Sequence, residues 1–375
     1  MAKRRKTKTK KFIRKHPVLT FIIILLVLAI VGTYVLHTKG IIHIPFLNEN
    51  FSHSEESSSA QSSTVIAEGE MEIHFLQLGN AVSGDSTLIK VGDTEVLIDA
   101  GSMRGSAETV VPYIQQYCTD GILEYVIATH AHEDHIAALV GSSTADGVLE
   151  SFTCQTIIDF PKTTVDSKLY QDYVALRGAE VNAGAKHYTA LECYNNVGGA
   201  QRTYTLGEGI TMQILYQKYY EESTSNENNN SVCTLISYGD NHFLFTGDLE
   251  CSGELSLIEE NDLPKCKLYK AGHHGSDTSS SAELLAIIQP EIVVANCCCG
   301  DKHGFPKQQF LENISIYTDK LYIPVMNDNG YKLLNGNIVV SVNNGQITVN
   351  GSNNNTLFKD TDWFKENRTC PDAWE

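Results

Sequence analysis

The segment His130-Ala131-His132-Glu133-Asp134-His135 places three imidazoles and a carboxylate within six residues. Imidazole nitrogen and carboxylate oxygen together suit a borderline divalent cation such as zinc, with manganese as the harder alternative. In an extended segment alternate residues point the same way, so His130 and His132 share one side. Asp134 and His135 can then turn toward a second position. A bound divalent ion lowers the pKa of its water from 15.7 toward ~7 and so makes a nucleophile at neutral pH. The chemistry open to this cluster is metal-assisted hydrolysis. Further along, Asp99 and Asp248 each end an apolar run, and His273-His274 add two more imidazoles.

These groups need a scaffold. MEIHFLQLG, STLIKVG and TEVLIDAG are short apolar runs closed by glycine and predict strands. SAETVVPYIQQY predicts an amphipathic helix. LEYVIATH predicts a buried strand that delivers the histidine cluster, with a helix starting at IAALVGSS directly after it. QTIIDF, ITMQILY, SVCTLISYG, HFLFTGD, KLYKAGHH and EIVVANCCC predict strands, and SAELLAIIQ a helix. IVVSVNNGQITVNG predicts a hairpin with Asn-Gly at its turn. Many strands with a few helices among them point to one mixed α/β domain over residues 71–350. Residues 219–230 form a polar loop, and residues 351–375 a polar C-terminal tail that holds both tryptophans. Ten cysteines show no CxxC pair, and Cys297-Cys298-Cys299 on a strand must alternate faces. They are expected mostly as small buried apolar groups.

The HxHxDH pattern at 130–135 resembles the signature of the metallo-β-lactamase superfamily. Leu97-Ile98-Asp99-Ala100-Gly101, Phe245-Thr246-Gly247-Asp248 and Lys270-Ala271-Gly272-His273-His274-Gly275-Ser276 resemble its other motifs, in the same order. The resemblance covers about residues 71–345 and implies an αββα sandwich. It also implies two divalent ions, zinc first and manganese second. His130, His132 and one of His273 and His274 would hold one ion. Asp134, His135 and the other histidine would hold the second, with Asp248 between them and Asp99 supporting the loop from behind. Asp134 would orient the water or accept its proton. The TGD and HHGS forms, Ser279-Ser280 and the HFLQLG…GDSTLI opening resemble the extracellular domain of ComEC-type competence proteins and their stand-alone relatives. Phosphorylcholine esterases of cell-wall teichoic acid are similar at the same motifs. That branch implies phosphodiester hydrolysis, with Asn230, Ser231, Ser276 and Lys302 as candidates for substrate contact.

The chain also departs from the family. A histidine usually stands between HxHxDH and the bridging aspartate. His187 is the candidate there, but it lacks the Gly-Ser and strand that should follow. Asn228-Asn229-Asn230-Ser231 stands before the strand instead, which argues against a β-lactamase. Gln77 replaces an aspartate, and four extra residues fall around Asn80–Gly84. Gly304-Phe305-Pro306 stands where relatives have Gly-His-Pro, which leaves His303 as the nearby imidazole that could substitute. Carbon-ester or lactone hydrolysis, or an inert tethered binding module, are the alternatives.

Charge is segregated along the chain. Of the 28 Lys and Arg, nine lie in residues 1–17 with no acid, which leaves 19 against 45 acidic residues, about −26 for the remainder. Nucleic-acid binding draws on Lys and Arg at phosphates, so such a body disfavours long duplex DNA unless bound cations offset it. Residues 18–36 carry no charge over nineteen positions, enough to cross a hydrocarbon core of ~30 Å as a helix. The basic flank before them predicts a cytoplasmic N-terminus, a single-pass anchor and an extracellular catalytic domain. A cleaved signal peptide is the alternative, without a clear small-x-small site. Residues 37–70 include a Ser- and Glu-rich run and predict a flexible linker. The partners implied are the membrane and a phosphodiester such as a nucleotide, a DNA strand or a wall polymer; nothing indicates a protein partner.

Overall fold

The computed structural model describes residues 70–375. The expected basic tail, anchor and linker over residues 1–69 lie outside the described residues. Among the described residues no helix is long and apolar enough to cross a membrane.

Eighteen strands follow one another among the described residues: β1 (Glu70–Phe75), β2 (Ser86–Val91), β3 (Thr94–Ala100), β4 (Ile122–Ala128), β5 (Thr153–Asp159), β6 (Lys186–Thr189), β7 (Thr203–Gly207), β8 (Ile210–Leu215), β9 (Cys233–Tyr238), β10 (Asn241–Phe245), β11 (Leu268–Lys270), β12 (Ile292–Val294), β13 (Cys298–Cys299), β14 (Leu321–Tyr322), β15 (Val325–Asn327), β16 (Tyr331–Leu333), β17 (Ile338–Asn343) and β18 (Gln346–Gly351). One sheet has the order β18-β17-β1-β2-β3-β4-β5-β6 and a second β14-β12-β11-β10-β9-β8-β7, with a small third sheet β13-β15-β16. The β17–β18 hairpin turns through Asn344 and Gly345, both at positive φ, as the Asn-Gly pair predicts.

Strands β3 to β6 are parallel, and so are β10, β11, β12 and β14. Parallel neighbours need long crossovers. Helices Ala107–Tyr117, Glu133–Val140 and Lys168–Ala183 supply them in the first sheet, and Cys251–Glu260, Ala282–Ile288 and Gln308–Ser315 in the second. The inner faces of the two sheets share one apolar core, in which Phe75 of β1 stacks on Phe245 of β10 at 6.3 Å. A second core joins Tyr269, Leu284, Leu285, Phe310 and Ile314 on the outer face of the second sheet. The layers are therefore helix, sheet, sheet, helix. At the carboxyl ends of β3, β4, β10 and β11 the chain passes into the four expected motifs, the usual place for a site in parallel sheets.

Some details differ from the sequence reading. Residues 351–375 are polar on average, yet Phe358, Phe364 and Trp374 are buried in the second core, and Trp374 Nε1 donates to Thr318 O at 2.9 Å. The helix after β4 begins at Glu133, inside the histidine motif, rather than after it. The run EIVVANCCC breaks between β12 and β13. All ten cysteines are free, and eight are buried.

Candidate metal centre

Backbone shape prepares this region before any side chain is counted. Asp99, His273 and His274 all adopt positive φ, at 59°, 46° and 58°. Such conformations cost non-glycine residues on the order of 1–3 kcal/mol each and concentrate at functional sites. Gly84 and Gly101 press on the histidine loop from behind: a Cβ on either would lie 2.6–2.8 Å from backbone atoms that include Asp134 O.

The imidazoles are held mainly through Nδ1. Asp99 Oδ2 sits 2.7 Å from His135 Nδ1, Asn296 O 2.9 Å from His274 Nδ1, and Thr278 Oγ1 3.0 Å from His273 Nδ1. His130 Nδ1 lies near Thr129 Oγ1 at 3.2 Å and Ser231 Oγ at 3.4 Å. Fixing one ring nitrogen sets the tautomer and frees Nε2 for a ligand. The Nε2 atoms then converge on Asp248: His135 at 3.2 Å, His274 at 3.4 Å and His273 at 3.7 Å from Oδ2. His274 Nε2 is also 3.3 Å from Asp134 Oδ2. Asp134, His135, Asp248 and His274 offer ligand atoms all within 4.8 Å of one another. His130 and His132 form a neighbouring pair, Nε2 to Nδ1 at 2.9 Å, with the His130 and His135 ring centroids 4.1 Å apart.

Does this cluster fit a metal? Asp248 Oδ1, His135 Nε2 and His274 Nε2 are buried and make no hydrogen bond. Buried polar atoms are rarely left so, and here they share one nitrogen and oxygen donor set. A divalent cation fits this donor set. Burial opposes charge throughout, but mutual pairing overcomes it in most of these groups. The charges of His135, His274 and His273 hold Asp248 well below the usual carboxylate range, and the pairing of Asp134 with His274, together with the charge of His135, holds Asp134 low. Asp248 and Asp99 raise His135. Burial, helped by the charge of His135, depresses His130; burial also prevails at His273, which is lowered, and at Asp99, which is raised.

Two residues missed as site residues in the sequence lie directly behind the ligands. Lys270 Nζ pairs with Asp85 Oδ2, and both side chains are only 4% exposed. Asp85 Oδ1 is 3.3 Å from His274 Nδ1, and Asp85 Oδ2 is 3.8 Å from His135 Nδ1. Both sat inside recognised runs, GDSTLI and KAGHHGS, but only the fold brings them together. A third, Glu227, belongs to no motif. Its carboxylate accepts from Ala131 N, Thr164 N and Asn230 Nδ2 at 3.0–3.2 Å, tying the 227–231 loop to the backbone between His130 and His132.

The substrate candidates divide. Asn230 and Ser231 are buried behind the cluster, contrary to a place on the substrate side. Asn230 is spent on Glu227, and Ser231 Oγ accepts from Asp248 N at 3.0 Å. Ser276 is buried and accepts from Thr278 N at 3.2 Å, while Ser281, not Ser276, caps the helix that follows. Lys302 is exposed on the 301–306 loop. Phe305 fills the position beside the ligands, its ring 5.8 Å from both His273 and His274. His303 stacks on Phe305, one ring further away, and so does not replace the family's histidine beside the metal ligands. His187 is also elsewhere, bound to Asp159 Oδ1 at 2.8 Å.

Glu254 buttresses the loop that follows His273 and His274, accepting from Ser280 N at 2.7 Å and Ser281 N at 2.8 Å. Burial pushes its carboxyl up to about 7 from 4.5 despite those bonds. A raised folded-state pKa contributes stability that is complete below about 4.5 and lost as pH rises through about 7. The loss is on the order of 3 kcal/mol. Glu254→Gln should therefore flatten the fall in denaturation free energy between pH 5 and 8 that the wild type shows; parallel curves for the two proteins would refute the assignment.

Residues 79–148 match the model of the metallo-beta-lactamase superfamily. The chain is 28% identical over 239 residues to Recombination protein 2 of Haemophilus influenzae, covering 62% of this chain and 25% of that protein. It is 22% identical over 245 residues to Competence protein ComA of Neisseria gonorrhoeae, covering 64% of this chain and 30% of that one. The chain thus spans less than a third of the length of these curated relatives. The metallo-beta-lactamase fold protein YhfI from Bacillus subtilis aligns over 69% of this chain and 98% of its own, with a TM-score of 0.41 and 11% identity.

Proposed function

We propose, on the premise that this chain carries a metallo-β-lactamase superfamily domain, that it is a metal-dependent hydrolase whose substrate is a phosphodiester. The observation that carries the reading is the convergence of His135, His273 and His274 on Asp248, with Asp134 beside them and the inward atoms left without hydrogen bonds. Two divalent ions there, held by His130, His132, Asp134, His135, Asp248, His273 and His274, would lower the pKa of a bound water and offset charge on a scissile phosphate.

The chain's own residues place and orient. Asp134 accepts a hydrogen bond from the attacking water and aims it. Asp99, Asn296 and Thr278 keep His135, His274 and His273 turned with Nε2 inward. Asp85, Asp99, Asp134 and Asp248 would by themselves repel an anionic ester, so cations are required before one can approach. Asn228-Asn229-Asn230-Ser231 stands where the family usually has its middle histidine, which argues against β-lactam cleavage. The uncharged stretch 18–36 behind a basic flank supports a tethered domain outside the cell.

Protein loaded with zinc or manganese should hydrolyse bis(4-nitrophenyl) phosphate and leave a chromogenic cephalosporin intact. Cephalosporin turnover alone would defeat the phosphodiester reading. Less than one equivalent of metal retained after gentle purification would defeat the hydrolase.

A further inference from the structure

The 301–306 loop stands at the lip of the metal cluster and is built as a shelf. Asp301 is buried and accepts from Ser83 Oγ at 2.7 Å, from His303 N at 2.8 Å and from Gly304 N at 3.1 Å. Lys307 Nζ donates to His303 O at 2.5 Å, and Arg368 donates to Gly304 O and Pro306 O, each at 2.9 Å. So many anchors hold the shape whether or not a ligand is bound. On this shelf Phe305 lies buried against His273 and His274, and His303 stacks nearly parallel on it, 5.5 Å between centroids and 15° between planes. His303 is exposed, so the ring row runs from the ligands to solvent.

We propose that His303 is a specificity-determining residue whose exposed ring stacks on a planar heteroaromatic group attached to the scissile phosphodiester, which makes a nucleobase-bearing diester the preferred substrate. The inference rests on the phosphodiesterase reading above. Phe305 separates His303 from the ligands and offers no proton, so the row contributes by its faces and not by acid catalysis. The near-parallel Phe305–His303 pair continues naturally into another flat ring, as bases stack on aromatic side chains in single-stranded nucleic acids. A quaternary ammonium such as choline would also favour an aromatic face. Here, however, Lys307 Nζ lies 5.8 Å from the Phe305 ring and Lys302 adjoins His303, so the shelf already carries cations. That charge repels a cationic headgroup and suits an anionic nucleotide. Stacking on one exposed ring also requires no basic stripe, in keeping with the acidic body.

The test uses the full metal-loaded chain and three esters that all release 4-nitrophenolate: thymidine 5′-(4-nitrophenyl phosphate), bis(4-nitrophenyl) phosphate and methyl 4-nitrophenyl phosphate. The first two should show a KM about fivefold or more below that of the methyl ester, the lower end of the range for stacking one base. His303→Ala should abolish this discrimination, and His303→Phe should restore it. Equal KM values for the three esters in the wild type, or discrimination that survives His303→Ala, would overturn the proposal. Hydrolysis of none of them would instead defeat the phosphodiesterase reading itself.

Discussion

Asp248→Asn should lower phosphodiester hydrolysis by at least about 10²-fold while leaving the domain folded, because loss of partners one step removed from a metal already costs 10–100-fold. Asp248 is the shared point of the cluster: its Oδ2 meets His135, His274 and His273, and its Oδ1 is buried without a hydrogen bond. Asparagine has the same shape, and the bond from the backbone N of residue 248 to Ser231 Oγ does not involve the side chain. The change therefore removes charge and one ligand oxygen with little repacking. Metal analysis should show fewer ions retained per chain, and circular dichroism an unchanged fold. Near-normal turnover with full metal content would mean that Asp248 is not the bridging ligand.

Lys270→Met should be the most damaging change to stability, at about 3–5 kcal/mol in chemical denaturation. The ammonium of Lys270 is buried and paired with Asp85, and Asp85, Asp99 and Asp248 all act on it electrostatically. Removing one member of such a pair leaves a buried charge without its partner, which costs far more than removing both. The double variant Asp85→Asn/Lys270→Met should therefore recover much of the loss. A double-mutant cycle reads the coupling directly. If the two single losses simply add, the pair is not a unit and the account fails.

These two predictions mark where sequence reading succeeds and stops. Asp248 was legible because an aspartate closing an apolar run, followed later by paired histidines, matches a known order of motifs. Asp85 and Lys270 stood in plain view within GDSTLI and KAGHHGS, yet they are 185 positions apart and only the parallel layout of β10 and β11 beside the first sheet's loops makes them partners. Glu227 sat in a stretch that reads as a polar surface loop. Polar residues there are buried because each meets a specific donor, a match that composition does not encode. The same limit hid the burial of Asn230 and Ser231 and their hydrogen bonds with Glu227 and Asp248. The mixed α/β domain followed from apolar runs ended by glycine, and the sandwich from the family resemblance, whereas helix Lys168–Ala183 followed from neither. It has charged residues all round and a single buried residue, Tyr173, so it shows little amphipathic period.

The cluster straddles two separately hydrogen-bonded sheets. His130, His132, Asp134 and His135 follow β4 of the first, whereas Asp248, His273 and His274 follow β10 and β11 of the second. Neither half holds a full set of candidate ligands, so a cation held by both would act as a clasp that could close only after the sheets have docked. A clasp of that kind would contribute little to the rate at which the chain assembles. It would act on the reverse process: it would have to open before the halves could part, and so would lengthen the lifetime of the folded domain.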